Sequence, residues 1–446
     1  MASEERAWRE ELHSPSLPEI HSSLPIPRSP NFLRKLIAFA GPGFLVAVGY
    51  MDPGNWATDL AAGSRYNYRL LFVIMLSNLL AILLQSLSLK LGIASGRDLA
   101  QACRDHYSRR VSNMLWVLAE IGIAACDLAE IVGSAIALQL LFHIPILWGV
   151  CITVGDVLLI LFLENKGFRY IEAIVVTLVA TIGLCFGLEI VFSRPEWHGI
   201  LGNLLIPSTD LMRNREMLYI SIGILGATVM PHNLYLHSAV VQTRDFDRTP
   251  EGKREAIKYC NIDSAVALTI ALFINAAILI VAASVFYRTG NHQVAEIQDA
   301  YKLLSPLLGV TAASGLFAIA LLASGQNSTL TGTLAGQIIM EGFVRMHLRP
   351  WVRRLITRLI AVIPTIIVTA YWGASGTAQL LIFSQVILSF QLSFAVFPLV
   401  TFTSDKRKMG EFVNPPWLKY LAWTAAIFIA LLNIWLLVQT GKDWIS

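Results

Sequence analysis

The chain has 446 residues, of which 55% are apolar and only 14% are charged, and its mean hydropathy is +0.60. This composition excludes a soluble globular domain and is typical of a protein with many membrane-spanning segments. The formal net charge is +4, and the placement of the basic residues explains this value without a nucleic-acid-binding surface.

The first 30 residues are polar, rich in Pro and Ser, and lack the basic-then-apolar order of a signal peptide. We therefore predict that residues 1–36 form a flexible cytoplasmic tail. A transmembrane helix needs about 20 largely apolar residues. The runs that satisfy this length are 37–63, 70–94, 112–141, 145–163, 170–192, 216–241, 262–287, 306–341, 355–373, 377–403 and 417–439.

These long, continuous runs favour helices over the alternating strands of a barrel. We predict an all-α polytopic membrane protein with eleven transmembrane helices. Lys and Arg mark cytoplasmic connections, and with a cytoplasmic N-terminus 24 of them fall inside and eight outside. The sequence thus predicts an N-terminus in the cytoplasm and a C-terminus outside.

Two of the runs are interrupted by polar, Pro-containing strings at matching places. The first is Asp52-Pro-Gly-Asn55 in run 37–63, and the second is Met230-Pro-His-Asn233 in run 216–241. A packing kink would explain either string alone. Two such breaks together predict discontinuous helices 1 and 6 that line a cavity near mid-membrane.

The breaks also predict how the chain is divided. Residues 37–193 would form a first unit of five helices, and residues 214–404 a second. Because five is an odd number, the second unit must start on the opposite side of the membrane, which makes the repeat inverted. Residues 416–440 would be an additional eleventh helix.

The first break offers oxygen ligands for a cation. Asp52 lies inside an apolar run, Asn55 can present an amide oxygen on the same side, and the unwound chain near Gly49 exposes carbonyls. Capping of the two half-helices by Asp and Asn is the alternative, and it explains the residue types but not their depth.

The second break offers a softer ligand. Pro231 leaves the carbonyl of Ala227 without its helical partner. The thioether of Met230 suits soft divalent metals better than Na⁺, Mg²⁺ or Ca²⁺. A lone Met in an apolar helix is more often packing material than a ligand.

Helix three carries Glu120, Asp127 and Glu130 in directions that span roughly 80° of its circumference. Arg354 and Arg358 on helix nine, with Arg353 beside them, are the candidate partners. This set is read either as a proton pathway or as buried ion pairs that hold the helices together. His232, at the second break, can exchange protons near neutral pH, and His237 is a weaker candidate.

The five cysteines are scattered and have no CxxC spacing, so they support neither a disulfide framework nor a zinc site.

Several strings together closely resemble the Nramp family of proton-coupled divalent metal transporters. They are the two breaks, with the second extending to His237, and Asp127–Glu130, Gly325–Gln337 and Met340–Phe343. The resemblance spans residues 37–404. It implies the fold of sodium-coupled amino-acid symporters and import of Mn²⁺ or Fe²⁺ with protons through alternating access. It also implies Cd²⁺ and Co²⁺ as further substrates.

The resemblance further implies roles for individual residues. The metal would be held by Asp52, Asn55, Met230 and the carbonyl of Ala227, with a carbonyl near Gly49 and a helix-ten glutamine joining in some states. Gln385 is favoured over Gln391 for that glutamine, and Gln85 matches a position near the outward-facing site. Protons would leave through His232, Asp127, Glu130 and a helix-nine arginine, which we assign to Arg358 rather than Arg353.

The resemblance leaves no role for a prosthetic group or for nucleic acid. We expect a monomer in the plasma (inner) membrane. A sodium-coupled amino-acid symporter would have no use for Met230, and a magnesium transporter of similar fold would prefer hard oxygens and water. A channel would need no proton relay, and a membrane enzyme would need a nucleophile with a base or a closed metal site.

Overall fold

The computed structural model describes residues 8–9, 14–27, 31–155, 167–211, 213–292, 294, 296–346 and 348–445. Within these ranges nearly every element is helical, as predicted. The helices are α1 Phe32–Phe39, α2 Pro42–Val48, α3 Pro53–Tyr66, α4 Leu71–Ser95, α5 Leu99–His106, α6 Arg109–Phe142, α7 Ile146–Thr153, α8 Phe168–Ser193, α9 Trp197–Leu205, α10 Arg215–Thr228, α11 Pro231–Val240, α12 Pro250–Ala282, α13 Ile297–Leu308, α14 Ala313–Val344, α15 Pro350–Thr403, α16 Lys406–Met409 and α17 Pro416–Ile445.

Eight helical segments are long and apolar enough to cross a membrane, and a ninth is counted if α1 and α2 form one bent span. The chain is therefore a multi-pass membrane protein. The count of eleven stays a prediction, because run 145–163 lies partly on residues 156–166, outside the described ranges. Helix α14 corresponds to run 306–341 but is not among the eight.

The first break lies slightly earlier in the chain than predicted. Helix α2 continues into a single 3₁₀ turn, Gly49–Met51, and Asp52 is extended before α3 begins at Pro53. Proline is favourable at the first position of a helix, where no backbone N–H is needed. The string 52–55 therefore starts the second half-helix and does not itself form the break.

In the second break, too, the proline is the first residue of the second half-helix. Helix α10 ends at Thr228, Val229 and Met230 depart from helical geometry, and α11 begins at Pro231. A further break that the sequence did not predict separates α1 from α2 at Ala40 and Gly41, where the axis bends by 47°.

The described part of the N-terminal segment lies against the helix ends, in contrast to the flexible tail that its composition predicts. Its strand β1 (Leu24–Pro25) pairs in parallel with β2 (Arg244–Asp245), just after α11. This pairing orders the segment through backbone hydrogen bonds, which cannot be predicted from a polar, Pro-rich composition.

Helices α6, α14 and α15 pack together and carry most of the buried polar residues described below. Helices α4 and α11 also approach closely. A Cβ atom at Gly92 of α4 would lie 2.1 Å from the carbonyl oxygen of Ser238 in α11. Only a glycine permits this approach, which brings α11 against α4.

Gly92→Ala should therefore lower the thermal stability of the detergent-solubilised protein, because the added methyl group forces two backbones apart. We expect a loss of about 1–3 kcal/mol, seen as a lower melting temperature. Gly187→Ala is the matched control, since a Cβ there meets no atom of the described residues within 4 Å. Equal melting temperatures for the two variants would contradict the close contact.

Candidate functional site

Oxygen atoms from both breaks converge on one atom, the side-chain nitrogen Nδ2 of Asn55. This nitrogen donates to Asp52 Oδ1 at 2.7 Å, to the carbonyl oxygen of Ala227 at 3.1 Å and to that of Gly49 at 3.3 Å. Asn55 and Ala227 are separated by 172 positions in the chain. The predicted ligands Asp52, Gly49 and Ala227 therefore do lie together.

Asp52 both caps α3 and belongs to this cluster. Its Oδ1 accepts from the backbone N–H of Asn55 at 2.8 Å, as an N-cap does. Its Oδ2 is buried and has no hydrogen-bond partner among the described residues. The capping interpretation thus accounts for one carboxylate oxygen and leaves the other for a ligand.

The amide of Asn55 is oriented differently from the sequence prediction. Its nitrogen faces the cluster, whereas its Oδ1 lies 3.5 Å from Nδ2 of Asn275, which also donates to the carbonyl of Tyr50 at 2.7 Å. Sequence reasoning missed Asn275. Its signal was a buried amide inside the apolar run 262–287.

Gln385 lies at the first break and Gln391 does not. A Cβ at Gly54 would lie only 1.8 Å from Gln385 Nε2, so the glutamine side chain rests directly on the start of α3. Gln391 instead lies beside Gly122 of α6. The preference for Gln385 over Gln391 is consistent with this placement.

Met230 is fully buried at the start of α11. Its carbonyl accepts from the N–H of Asn233 at 3.2 Å, and its side chain packs with Ala125 of α6 and Leu388 of α15. The thioether therefore lies where α6, α11 and α15 meet. Its role as a metal ligand stays a prediction.

The three acids of α6 all face the arginines of α15. Arg354 forms ion pairs with Asp127 and with Glu130, the latter at 2.6 Å. Arg353 pairs with Glu120 at 2.9 Å. The shared face predicted for the acids is thus confirmed, and each acid has an arginine.

Arg358 completes this network one turn further along α15. Its guanidinium reaches Glu130 at 3.2 Å, the carbonyl of Asp127 at 3.2 Å and the hydroxyl of Thr329 at 2.7 Å. Arg354 and Arg358 therefore both contact Glu130, whereas Arg353, the alternative to Arg358, pairs with Glu120. Thr329 belongs to the string Gly325–Gln337, for which the sequence offered no role.

Cys126 joins the second break to this network. Its sulfur lies 3.8 Å from Nε2 of His232 and 3.5 Å from Oε1 of Glu130. His232 follows Pro231, so a line of polar groups leads from the broken helix to the buried ion pairs. Sequence analysis missed Cys126, although it directly precedes Asp127.

The two secondary candidates of the sequence also meet. Gln85 Nε2 donates to the hydroxyl of Tyr50 at 3.0 Å, and Gln85 Oε1 lies 3.0 Å from Nδ1 of His237. Tyr50 belongs to the 3₁₀ turn of the first break. These residues therefore form a separate polar chain toward the end of α11.

The site does not resemble a tightly binding metal cage. No group of three His, Cys, Asp or Glu side chains placed to hold a metal ion occurs in the described part of the chain. The cluster offers one carboxylate with carbonyl and amide groups, a donor set that suits reversible binding of a divalent cation. All of these groups are buried, so the site is closed to solvent in this conformation.

Known proteins match this chain over nearly its whole length. The sequence profile of the family described as "Natural resistance-associated macrophage protein-like", Nramp, matches residues 43–439. The "Divalent metal cation transporter MntH" of a Nostoc species is 65% identical over 431 residues, 97% of each chain. The protein of that name from Listeria innocua is 63% identical over 435 residues, 98% of this chain and 97% of its own.

Solved structures agree with these matches. A crystal structure of the Eremococcus coleocola manganese transporter has a TM-score of 0.88 and 43% identity, and the match covers 94% of this chain and 90% of that one. Mhp1, a nucleobase-cation-symport-1 family transporter, has a TM-score of 0.59 at 15% identity, covering 95% and 96%. The latter likeness concerns the fold alone.

The buried network yields a prediction for stability. Arg354→Met should destabilise the protein by about 3 kcal/mol, because Asp127 and Glu130 would lose a shared buried counter-charge. Thermal unfolding in detergent measures the loss. Arg349→Met, which removes an exposed guanidinium just before the same helix, should change stability by less than about 0.5 kcal/mol. A small effect at Arg354 would show that Arg358 alone compensates the two acids.

Proposed function

The chain belongs to the Nramp family, and from this membership and the geometry above we propose that it is a secondary transporter for divalent transition metal ions. Mn²⁺ or Fe²⁺ is the substrate, protons are the coupling ion, and transport proceeds by alternating access. The observation that carries the proposal is the convergence of three oxygens from both broken helices on one point.

The metal binds among the oxygens of Asp52, Gly49 and Ala227, where the side chain of Asn55 now donates its hydrogen bonds. Withdrawal of the Asn55 side chain from this position makes room for the ion, and its Oδ1 can then become a fourth oxygen ligand. Gln385, which rests on Gly54, can add a further amide oxygen. One ionised carboxylate then faces a divalent ion, and the ion can still leave because most of its ligands are neutral.

Met230 supplies selectivity. Carbonyl and carboxylate oxygens accept Ca²⁺ and Mg²⁺ as readily as Mn²⁺, so these groups alone do not discriminate between them. A thioether ligand supplied by Met230 favours the softer ion, because sulfur is a poor substitute for water around a hard cation and a good ligand for a transition metal.

Protons leave by a different path from the metal. A carboxylate must be ionised to bind a metal, so metal binding releases a proton from Asp52. His232 and Cys126 lead from the break to Glu130, where Arg354 and Arg358 stabilise either protonation pattern of the acids. The network thus combines the two interpretations of the sequence, since its ion pairs join the helices and also carry the proton.

The same proposal places the protein in the membrane. The N-terminus lies in the cytoplasm and the C-terminus outside, in the plasma membrane, and one chain is sufficient for transport. Lys and Arg in the connections support this orientation, although Arg6, Arg28 and Lys166 lie outside the described ranges.

Asp52→Ala should abolish Mn²⁺ uptake while the protein stays folded, because it removes the only charged ligand. Purified protein is reconstituted into proteoliposomes that are placed in an acidic external buffer. Mn²⁺ entry and acidification of the lumen are then measured at the same time. Wild-type protein should concentrate Mn²⁺ and acidify the lumen.

Glu251→Ala is the control, since this carboxylate is exposed at the start of α12, and it should transport normally. Normal Mn²⁺ uptake by Asp52→Ala would refute the site. If the Mn²⁺ concentration inside wild-type proteoliposomes never exceeds the concentration outside, the protein is a channel and not a secondary transporter.

Met230→Ala should admit Ca²⁺ or Mg²⁺ while Mn²⁺ transport weakens, because the remaining ligands are hard oxygens. Uptake is compared across a panel of divalent ions. Met217→Ala removes another fully buried methionine, on α10 away from the break, and should leave the order of ions unchanged. An unchanged order in both variants would discard the soft-ligand filter.

A further inference from the structure

The segment Ser14–Pro25, defined here as the clasp, is bound to the helix ends by buried hydrogen bonds. Ser16 Oγ donates to Asp98 Oδ2 at 2.6 Å, and the N–H of Leu17 donates to Glu341 Oε2 at 2.8 Å. Asp98 caps α5, whereas Glu341 lies near the end of α14. One short peptide therefore bridges the two predicted halves of the fold.

Leu17 shows how firmly this part of the clasp is held. Its side chain is 7% exposed and belongs to the main hydrophobic core, and its φ is +51°, a value that leucine rarely adopts. Such a conformation persists only where surrounding contacts stabilise it. The pKa of the Asp98 carboxyl is raised to about 6, because the effect of burial exceeds that of the hydrogen bond from Ser16, which lowers the pKa. Ser16 therefore stabilises the ionised form of its partner.

The second part of the clasp follows the end of α11. The N–H of Ser22 donates to the carbonyl of Gln242 at 2.9 Å, and Leu24 pairs with Arg244 in the two-stranded sheet. These contacts lie just beyond the second broken helix, on the side toward which α11 runs.

Arg244 connects the clasp to the first broken helix. Its guanidinium donates to the carbonyl of Ala40 at 2.6 Å and pairs with Glu172 at 2.7 Å. Asp263 accepts from the N–H of Gly43 at 2.7 Å. The start of α2 is thereby fixed beside β2, and the far end of α2 leads to Gly49, one of the oxygens of the cluster.

Resting on the proposed function, we infer that the clasp holds the cytoplasmic side of the site closed and must detach before the metal can leave toward the cytoplasm. Opening on that side requires α2 and the end of α11 to move relative to α5 and α14. The clasp bonds directly to α5, to α14 and to the segment after α11, and through Arg244 it reaches the start of α2. These elements are therefore held together while Ser16, Leu17 and Leu24 stay bound. The segment is thus part of the gate.

A native cysteine reports this opening. Cys260 of α12 is 1% exposed and packs with Phe39, Val241 and Phe246, next to the start of α2. Alkylation by N-ethylmaleimide in nanodiscs, quantified for each cysteine by peptide mass spectrometry, measures how often this cluster opens. Cys185, buried on α8 at 5% exposure, is the internal reference.

Ser16→Asp places a second carboxylate against buried Asp98 and should release the clasp. We expect Cys260 alkylation to accelerate at least about tenfold, equivalent to ~1.4 kcal/mol lost from the closed state, while Cys185 is unchanged. Ser23→Asp adds the same charge at an exposed serine of the same segment and should leave both rates unchanged. Equal Cys260 rates in the wild type and both variants would overturn the proposal.

Ser16→Ala covers the case in which Ser16→Asp does not fold, as judged by its melting curve. It removes one hydrogen bond to a charged group, so a rise of at least about tenfold in Cys260 alkylation is expected. No rise would overturn the proposal as well. Alkylation requires no transport, so failure of Asp52→Ala to stop uptake would refute the transport proposal and leave this measurement interpretable.

Discussion

The fold depends on a constraint of the membrane interior, where each backbone polar group needs a partner within the protein. The 3₁₀ turn of the first break leaves three consecutive carbonyls to be satisfied. That of Gly49 accepts from Asn55, that of Tyr50 from Asn275, and that of Met51 from the indole of Trp56 at 3.2 Å. Side chains thus replace the missing helical bonds, and in the proposed transport a cation replaces one of these side-chain partners.

Charged groups meet the same constraint in the interior of α6. An isolated carboxylate would be costly there. The arrangement of two arginines around Glu130, with Thr329 and the Asp127 carbonyl as further partners, keeps charge balanced when a proton enters or leaves. Because the network shares its partners, protonation of one acid is distributed over several bonds. The same ion pairs fix α6 against α15, so a structural role for these residues does not exclude the proton route that we propose.

The two ends of the first broken helix are controlled by different kinds of contact. At Gly49 the chain is held by neutral amides, which can rotate to admit an ion. At Ala40 and Gly41 it is held by Arg244 and Asp263, and Arg244 in turn pairs with the clasp. The proposed metal site at one end and the proposed gate at the other are thereby connected through the seven residues of α2. A short, rigid helix transmits such a displacement better than an irregular segment would.

The sequence alone was sufficient to predict the membrane class, the two breaks and the common face of Glu120, Asp127 and Glu130. These features follow from local composition and from the helical period. The sequence did not show at which residue each break begins and ends, because a proline can lie inside a break or can be the first residue of the helix that follows it. It also could not distinguish a bound N-terminal segment from a free one, since a polar, Pro-rich composition is compatible with both.

Which atoms of these residues meet depends on how the helices pack in three dimensions. The orientation of Asn55 depends on Asn275, which is 220 positions away, and the placement of Gln385 depends on the absence of a side chain at Gly54. Cys126 gained its position between His232 and Glu130 because α6 packs beside α11. Such contacts are set by how helices pack, and helix packing is a property of pairs of surfaces that no single stretch of sequence contains.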